Sequence, residues 1–183
     1  MTGTKVALVL LVFIATVTLA APAQTQVFVS GQTNGGFGAP IDMTVPYVPA
    51  AVVTGPATIT ITYINGTVID AGGVDTGPDG TFWNCGTAQS PLEESRGVAG
   101  GKISDLDALI GVFVPAARAN HPKFTAIDGT KDATHVGIPP GDLFFVGEAK
   151  TIVVNEAGTL FLGINDWWMG DNSGGFNVEL TVQ

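Results

Sequence analysis

The sequence predicts an all-β sandwich, and three observations carry that expectation. Ala57-Thr58-Ile59-Thr60-Ile61-Thr62-Tyr63 alternates polar and apolar side chains, as a strand does when one face is buried and the other solvated. Short apolar runs of strand length recur along the chain, and no amphipathic helical stretch of useful length separates them. The 25 glycines, set against few Lys and Glu, suit many short strands joined by turns better than helices.

The N-terminus reads as an export signal. Lys5 is the only charge before the apolar run Val6 to Leu19, and Ala21-Pro22-Ala23 follows with small residues at cleavage positions. The run of 14 residues is shorter than the roughly 20 needed to span a bilayer, so cleavage after Ala23 is expected rather than a retained anchor. Residues 24–183 then form a single domain, secreted or periplasmic, with no further membrane span. Gln26 to Val29 is its first expected strand. Ala57 to Tyr63 is followed by Asn65-Gly66, a hairpin-type turn signal, with Thr67-Val68-Ile69 as the returning strand. Leu109 to Val114, Leu143 to Val146, and Thr151 to Val154 are strand-length apolar runs. Glu156-Ala157-Gly158 turns the chain into Thr159 to Ile164, and Gly175 to Val182 alternates again as the last strand. Two irregular regions interrupt the strands: residues 72–99, rich in Gly, Pro and Asp, and an insertion over residues 115–141 that carries both histidines.

Charge narrows the partners. Without Lys5, 6 basic residues face 16 acidic ones, which argues against nucleic acid and anionic membranes and suits hard cations. Cys85 is alone, so no intramolecular disulfide forms; it reads as a buried or incidental thiol, with an intermolecular link as the other option. His121 and His135 have no metal-ligand spacing with Cys85 or with each other and read as solvated loop residues. Asp105 and Asp107 read as a solvated stretch before the strand at Leu109. No serine nucleophile motif, carboxylate pair in a clear context or phosphate loop stands out, and the expectation is a protein without enzymatic activity.

The densest chemistry lies between the last two expected strands, in Asn165-Asp166-Trp167-Trp168-Met169-Gly170-Asp171-Asn172-Ser173-Gly174-Gly175. Asp166, Asp171 and Asn172 place three side-chain oxygen donors within a few residues, and glycines allow main-chain carbonyls to turn to the same point. Calcium takes about 6–8 such oxygens in forgiving geometry. The spacing is not that of an EF-hand. From the residues alone, the segment allows two readings, a cation loop or an ordinary Asx-type turn.

Two segments, Gly158 to Asp166 (GTLFLGIND) and Asp171 to Val178 (DNSGGFNV), together resemble the C-terminal signature of the PA-IL-type (LecA-like) bacterial galactose lectins. There a strand ends in Asn-Asp and, after a loop, Asn-Asn-Ser-Gly leads into the last strand. Upstream, Thr58-Ile59-Thr60-Ile61, Gly66 and Gly77-Pro78-Asp79-Gly80 are similar to the family's strand, Gly and Gly-Pro-x-Gly turn in the same order, and Leu109-Ile110-Gly111 resembles its central strand. The resemblance covers residues 53–182, with insertions.

It implies a jelly-roll-like, galactose-binding-domain-like β-sandwich holding one Ca2+, which bridges the protein to two hydroxyls of a galactose-type sugar. By position, Asp166, Asp171 and Asn172 are implied side-chain ligands, Asp171 standing where the family has Asn and adding charge, and backbone carbonyls near Trp168 and Asp70 complete the set. Two features depart from the pattern. The loop between Asp166 and Asp171 is shorter, and the family's sugar-contacting His-Pro is replaced by Ser90-Pro91; His121-Pro122 lies in the insertion and does not take that role.

The expected function is therefore calcium-dependent carbohydrate binding. Asp166 and Asp171 contact the sugar through the ion, and one of Trp167 and Trp168 stacks on its ring while the other packs into the core. Trp83 is expected to cap the sandwich edge. A lone binding domain acts best through the multivalency of an oligomer. The other reading is a calcium-stabilised structural or interaction sandwich of the envelope or matrix, without a sugar pocket.

Overall fold

A computed structural model describes residues 22–33, 48–70, 72–83, 93–94, 103–119, 143–166 and 169–183. The described strands are, in chain order, β1 (Ala23–Ser30), β2 (Val48–Val53), β3 (Ala57–Ile69), β4 (Asp75–Thr76), β5 (Thr81–Trp83) and β6 (Glu93–Glu94). They continue with β7 (Ile103–Leu106), β8 (Leu109–Pro115), β9 (Leu143–Phe145), β10 (Ala149–Val154), β11 (Gly158–Ile164) and β12 (Ser173–Val182). The fold class is all-β, as the alternating pattern requires. Among the described residues, the only helical segments are one-turn 3-10 pieces at Ala116–Arg118 and Met169–Asp171.

Two antiparallel sheets make the sandwich. One runs β1-β12-β3-β10, with β4 added on β3; the other runs β2-β11-β8-β9. A small third sheet, β5-β7-β6, gives part of the region expected to be irregular a regular backbone, including that of Trp83. Alternation sorts the side chains. Ile59 and Ile61 of β3, Leu160, Leu162 and Ile164 of β11, and Phe176, Val178 and Leu180 of β12 all point into one core lined by both large sheets. The Phe176 ring meets Tyr63 edge-on, with centroids 5.9 Å apart.

The Asn65-Gly66 hairpin expected from the sequence is not formed. β3 runs unbroken through both residues and pairs with β12 along its length. Tyr63 faces Val178 and Asn65 faces Asn177, so Ile64 is the extra residue of a bulge, 41 % exposed. The insertion shifts the inward phase from odd positions (Ile59, Ile61) to an even one (Val68). Gly66 takes φ +109°, and a Cβ there would lie 2.2 Å from the Gly175 carbonyl oxygen, so glycine serves the close pairing with β12 rather than a turn. The Tyr63 hydroxyl donates to the Gly66 carbonyl at 2.7 Å and braces the bulge.

Residues 155–157 join β10 to β11 across the sandwich, because the two strands belong to different sheets. The Gly77-Pro78-Asp79-Gly80 turn closes with Gly80 N–H donating to Gly77 O, and Pro78 O accepts from Leu109 N–H at the start of β8.

Candidate functional site

Strand register brings distant segments to one end of the sandwich. Ser30 of β1 lies opposite Gly175 of β12, and Ile69 of β3 lies opposite Ser173. The end of β11 meets the start of β8 through Ile164 and Leu109. Gly31, Asp70, Asn172, Asp166 and the β7–β8 turn therefore gather at the same edge. That turn is tied down by Asp107 N–H donating to Asn165 O at 3.0 Å and Asn165 N–H donating to Ala108 O at 2.9 Å.

Asn172 is the hub. Its Nδ2 donates to Asp166 Oδ2 at 2.9 Å, Asp107 Oδ1 at 3.0 Å and the Gly31 carbonyl at 3.1 Å. An amide nitrogen carries two hydrogens, so three oxygens share two donors. All three side chains are enclosed: Asp107 is 0 %, Asn172 2 % and Asp166 8 % exposed. Asp107 Oδ2 and Asn172 Oδ1 are buried with no hydrogen-bond partner at all. Buried polar atoms are normally satisfied, and each one left bare costs about 1–3 kcal/mol, so two together mark a site organised around something further.

Electrostatics agree with the geometry. Burial, then the charge of Asp166, push the Asp107 carboxyl up to about 7. Asp70 and Asp171 add to the rise, and only the Asn172 hydrogen bond opposes it. The cluster is thus a local excess of negative oxygen.

Asp107 corrects the sequence reading. It was expected to be solvated, yet it is fully buried and is the one non-glycine among the described residues with positive φ, at 62°. Asp tolerates that conformation better than most residues. Nothing in the local pattern around residues 105–107 marks it; its closeness to Asn172 comes from pairing 65 positions away.

The other site residues distribute as follows. Asp166 and Asn172 are brought together by the hydrogen bond between their side chains, 2.9 Å long. Asp171 lies in the 3-10 turn before β12 and is exposed. Asp70 directly follows β3; its Oδ1 accepts from Gly72 and Val74 N–H in an Asx-type turn, and its carbonyl accepts from Gly73 N–H. Its charge nevertheless reaches Asp107. Trp167 and Trp168, Cys85, His121, His135, Ser90-Pro91, residues 1–21 and residues 120–142 lie outside the described residues. An open groove lined by Val52 to Ala57, Val182 and Gln183 lies at the opposite end of the sandwich, where β3 begins and β12 ends.

Among the described residues, no three His, Cys, Asp or Glu side chains converge as a metal centre. The cluster is instead two carboxylates, an amide and a main-chain carbonyl. The atom at its centre is the Asn172 amide nitrogen; with that amide turned over, the set would offer only oxygens and a net negative charge, the donor chemistry of a hard cation such as Ca2+. No family model matches the chain, and no curated protein does.

Proposed function

We infer that the protein is an exported, calcium-dependent carbohydrate-binding domain of lectin type, without enzymatic activity of its own. The observation that carries this reading is the convergence of Asp166 Oδ2, Asp107 Oδ1 and the Gly31 carbonyl on the single Asn172 amide, with Asp107 Oδ2 and Asn172 Oδ1 buried and bare. The chain's C-terminal pattern, read as lectin-like, places its implied ligands Asp166 and Asn172 at that point. The strand order β1-β12-β3-β10 against β2-β11-β8-β9, in which nearly every connection changes sheets, supports the jelly-roll form of the sandwich.

In this reading, Asp166 and Asn172 hold the ion from the protein side. Asp171, exposed at the rim, faces arriving ligand, and carbonyls near Asp70 and Trp168 add donors. Bound calcium supplies coordination positions for vicinal sugar hydroxyls. Trp167 or Trp168 offers an apolar platform for the sugar ring.

A second reading has its own support. The near-complete burial of Asp107, Asn172 and Asp166 suits an ion that serves the fold alone, in a structural or interaction domain.

Thermal unfolding of residues 24–183 in EDTA and across a calcium titration tests the metal site. Extracellular calcium modules bind at about 10⁻⁴–10⁻³ M. At roughly 1 mM calcium and the tighter end of that range, linkage gives about 1.4 kcal/mol, or about 3–6 °C for this size. The shift should vanish in Asp166→Ala. Calcium-dependent quenching or enhancement of tryptophan fluorescence by a sugar panel then separates the lectin from the structural domain. No thermal shift at any calcium concentration refutes both calcium readings.

A further inference from the structure

We propose that Asp107 is an inner ligand of the same cation, so that the ion is held from both sheets of the sandwich rather than by the β11–β12 loop alone. This rests on the calcium reading above and adds a residue for which the lectin-like ligand set has no counterpart.

Three observations lead to it. Asp107 is completely buried, yet its carboxylate has one hydrogen bond, from Asn172, and its Oδ2 has none. A carboxylate enclosed in this way is costly unless a positive charge or several donors compensate it. Its neighbours here are a second carboxylate, Asp166, and one amide shared with two other oxygens. An asparagine would fill the same space, tolerate the same positive φ and keep an oxygen to accept from Asn172, so packing alone gives no reason for an acid. A divalent cation does.

Placement is the second point. The turn carrying Asp107 precedes β8, and Asp166 follows β11, both in the four-stranded sheet. Asn172 precedes β12 and Gly31 follows β1, both in the other sheet. An ion shared by these four segments closes one end of the sandwich across its core.

The third point is the Asn172 amide. Its nitrogen faces the three oxygens while its own oxygen is buried and bare. Turning the amide over would present Oδ1 beside Asp107 Oδ1, Asp166 Oδ2 and the Gly31 carbonyl. Four mutually repelling oxygens become a stable arrangement only around a cation.

The test compares the parent with Asp107→Asn by calorimetric titration with Ca2+, and by Tb3+ luminescence decay in H2O and D2O, which counts ion-bound waters. The parent should bind both ions. Asp107→Asn should bind Ca2+ at least about tenfold more weakly, carry about one more water on Tb3+, and be no less stable than the parent in EDTA. Equal affinity and equal water number, with the parent binding normally, overturn the role of Asp107 and leave the calcium site standing. A variant less stable than the parent in EDTA also overturns it, because the carboxylate would then serve the fold without an ion. A parent that binds neither ion removes the calcium reading itself.

Discussion

In calcium-free solution, the buried Asp107 carboxyl should make the protein lose stability as pH rises from about 4 to 7, opposite to the behaviour of a salt-bridged acid. Its folded-state value is raised to about 7 from an ordinary 3.8, first by burial and then by the charge of Asp166. Between those two values, the folded chain holds a proton that the unfolded chain has released. The folded state therefore binds more protons, and stability falls with rising pH. The contribution is complete below about pH 4, is lost progressively up to about 7 and is flat above. A rise from 3.8 to about 7, at about 1.4 kcal/mol per pH unit, makes this on the order of 4 kcal/mol. The quantity that isolates this one group is the difference between Asp107→Asn and the parent, from urea unfolding in EDTA between pH 4.5 and 8. The variant's advantage should grow through that interval and level off near its top. A difference that stays constant with pH, or a parent that gains on the variant as pH rises, refutes the assignment of Asp107 as a buried, uncompensated acid.

Other expectations follow from the packing. Gly66→Ala should cost at least about 2 kcal/mol in chemical denaturation, because φ +109° already disfavours a side chain and the new Cβ meets a main-chain oxygen that cannot step aside. An unchanged midpoint would mean that the bulge at residues 64–66 is absent. Leu162→Ala, in the middle of β11 and fully buried, should cost about 2–5 kcal/mol. Tyr63→Phe removes the brace on the Gly66 carbonyl and should cost about 1 kcal/mol, read as a small drop in the unfolding midpoint.

Much of the strand content could be read locally, because a strand half in water and half in the core writes its period of two into five or six consecutive residues. Ile59, Ile61, Phe176, Val178 and Leu180 are core residues on that rule alone. Asp166 and Asn172 were also within reach, since both sit in one short loop whose donor types announce a polar cluster. Asn65-Gly66 shows where the local rule fails. The dipeptide permits positive φ, but it does not say whether that freedom turns the chain or bulges it, and here the pairing of β3 with β12 on both sides of Gly66 makes it a bulge.

Asp107 lies beyond any local rule. Its neighbours in the chain are ordinary, and its burial exists only because Asp107 and Ala108 bond to Asn165 and the turn closes against Asn172. The Gly31 carbonyl reaches the same amide across 141 positions. The amino-acid sequence by itself determined which segments become strands, and it concentrated oxygen donors before β12, because backbone geometry and side-chain chemistry act over a few residues. Only the tertiary structure decided which strand ends meet and so which acid is buried among them, because sheet register joins residues whose distance along the chain leaves no periodic trace.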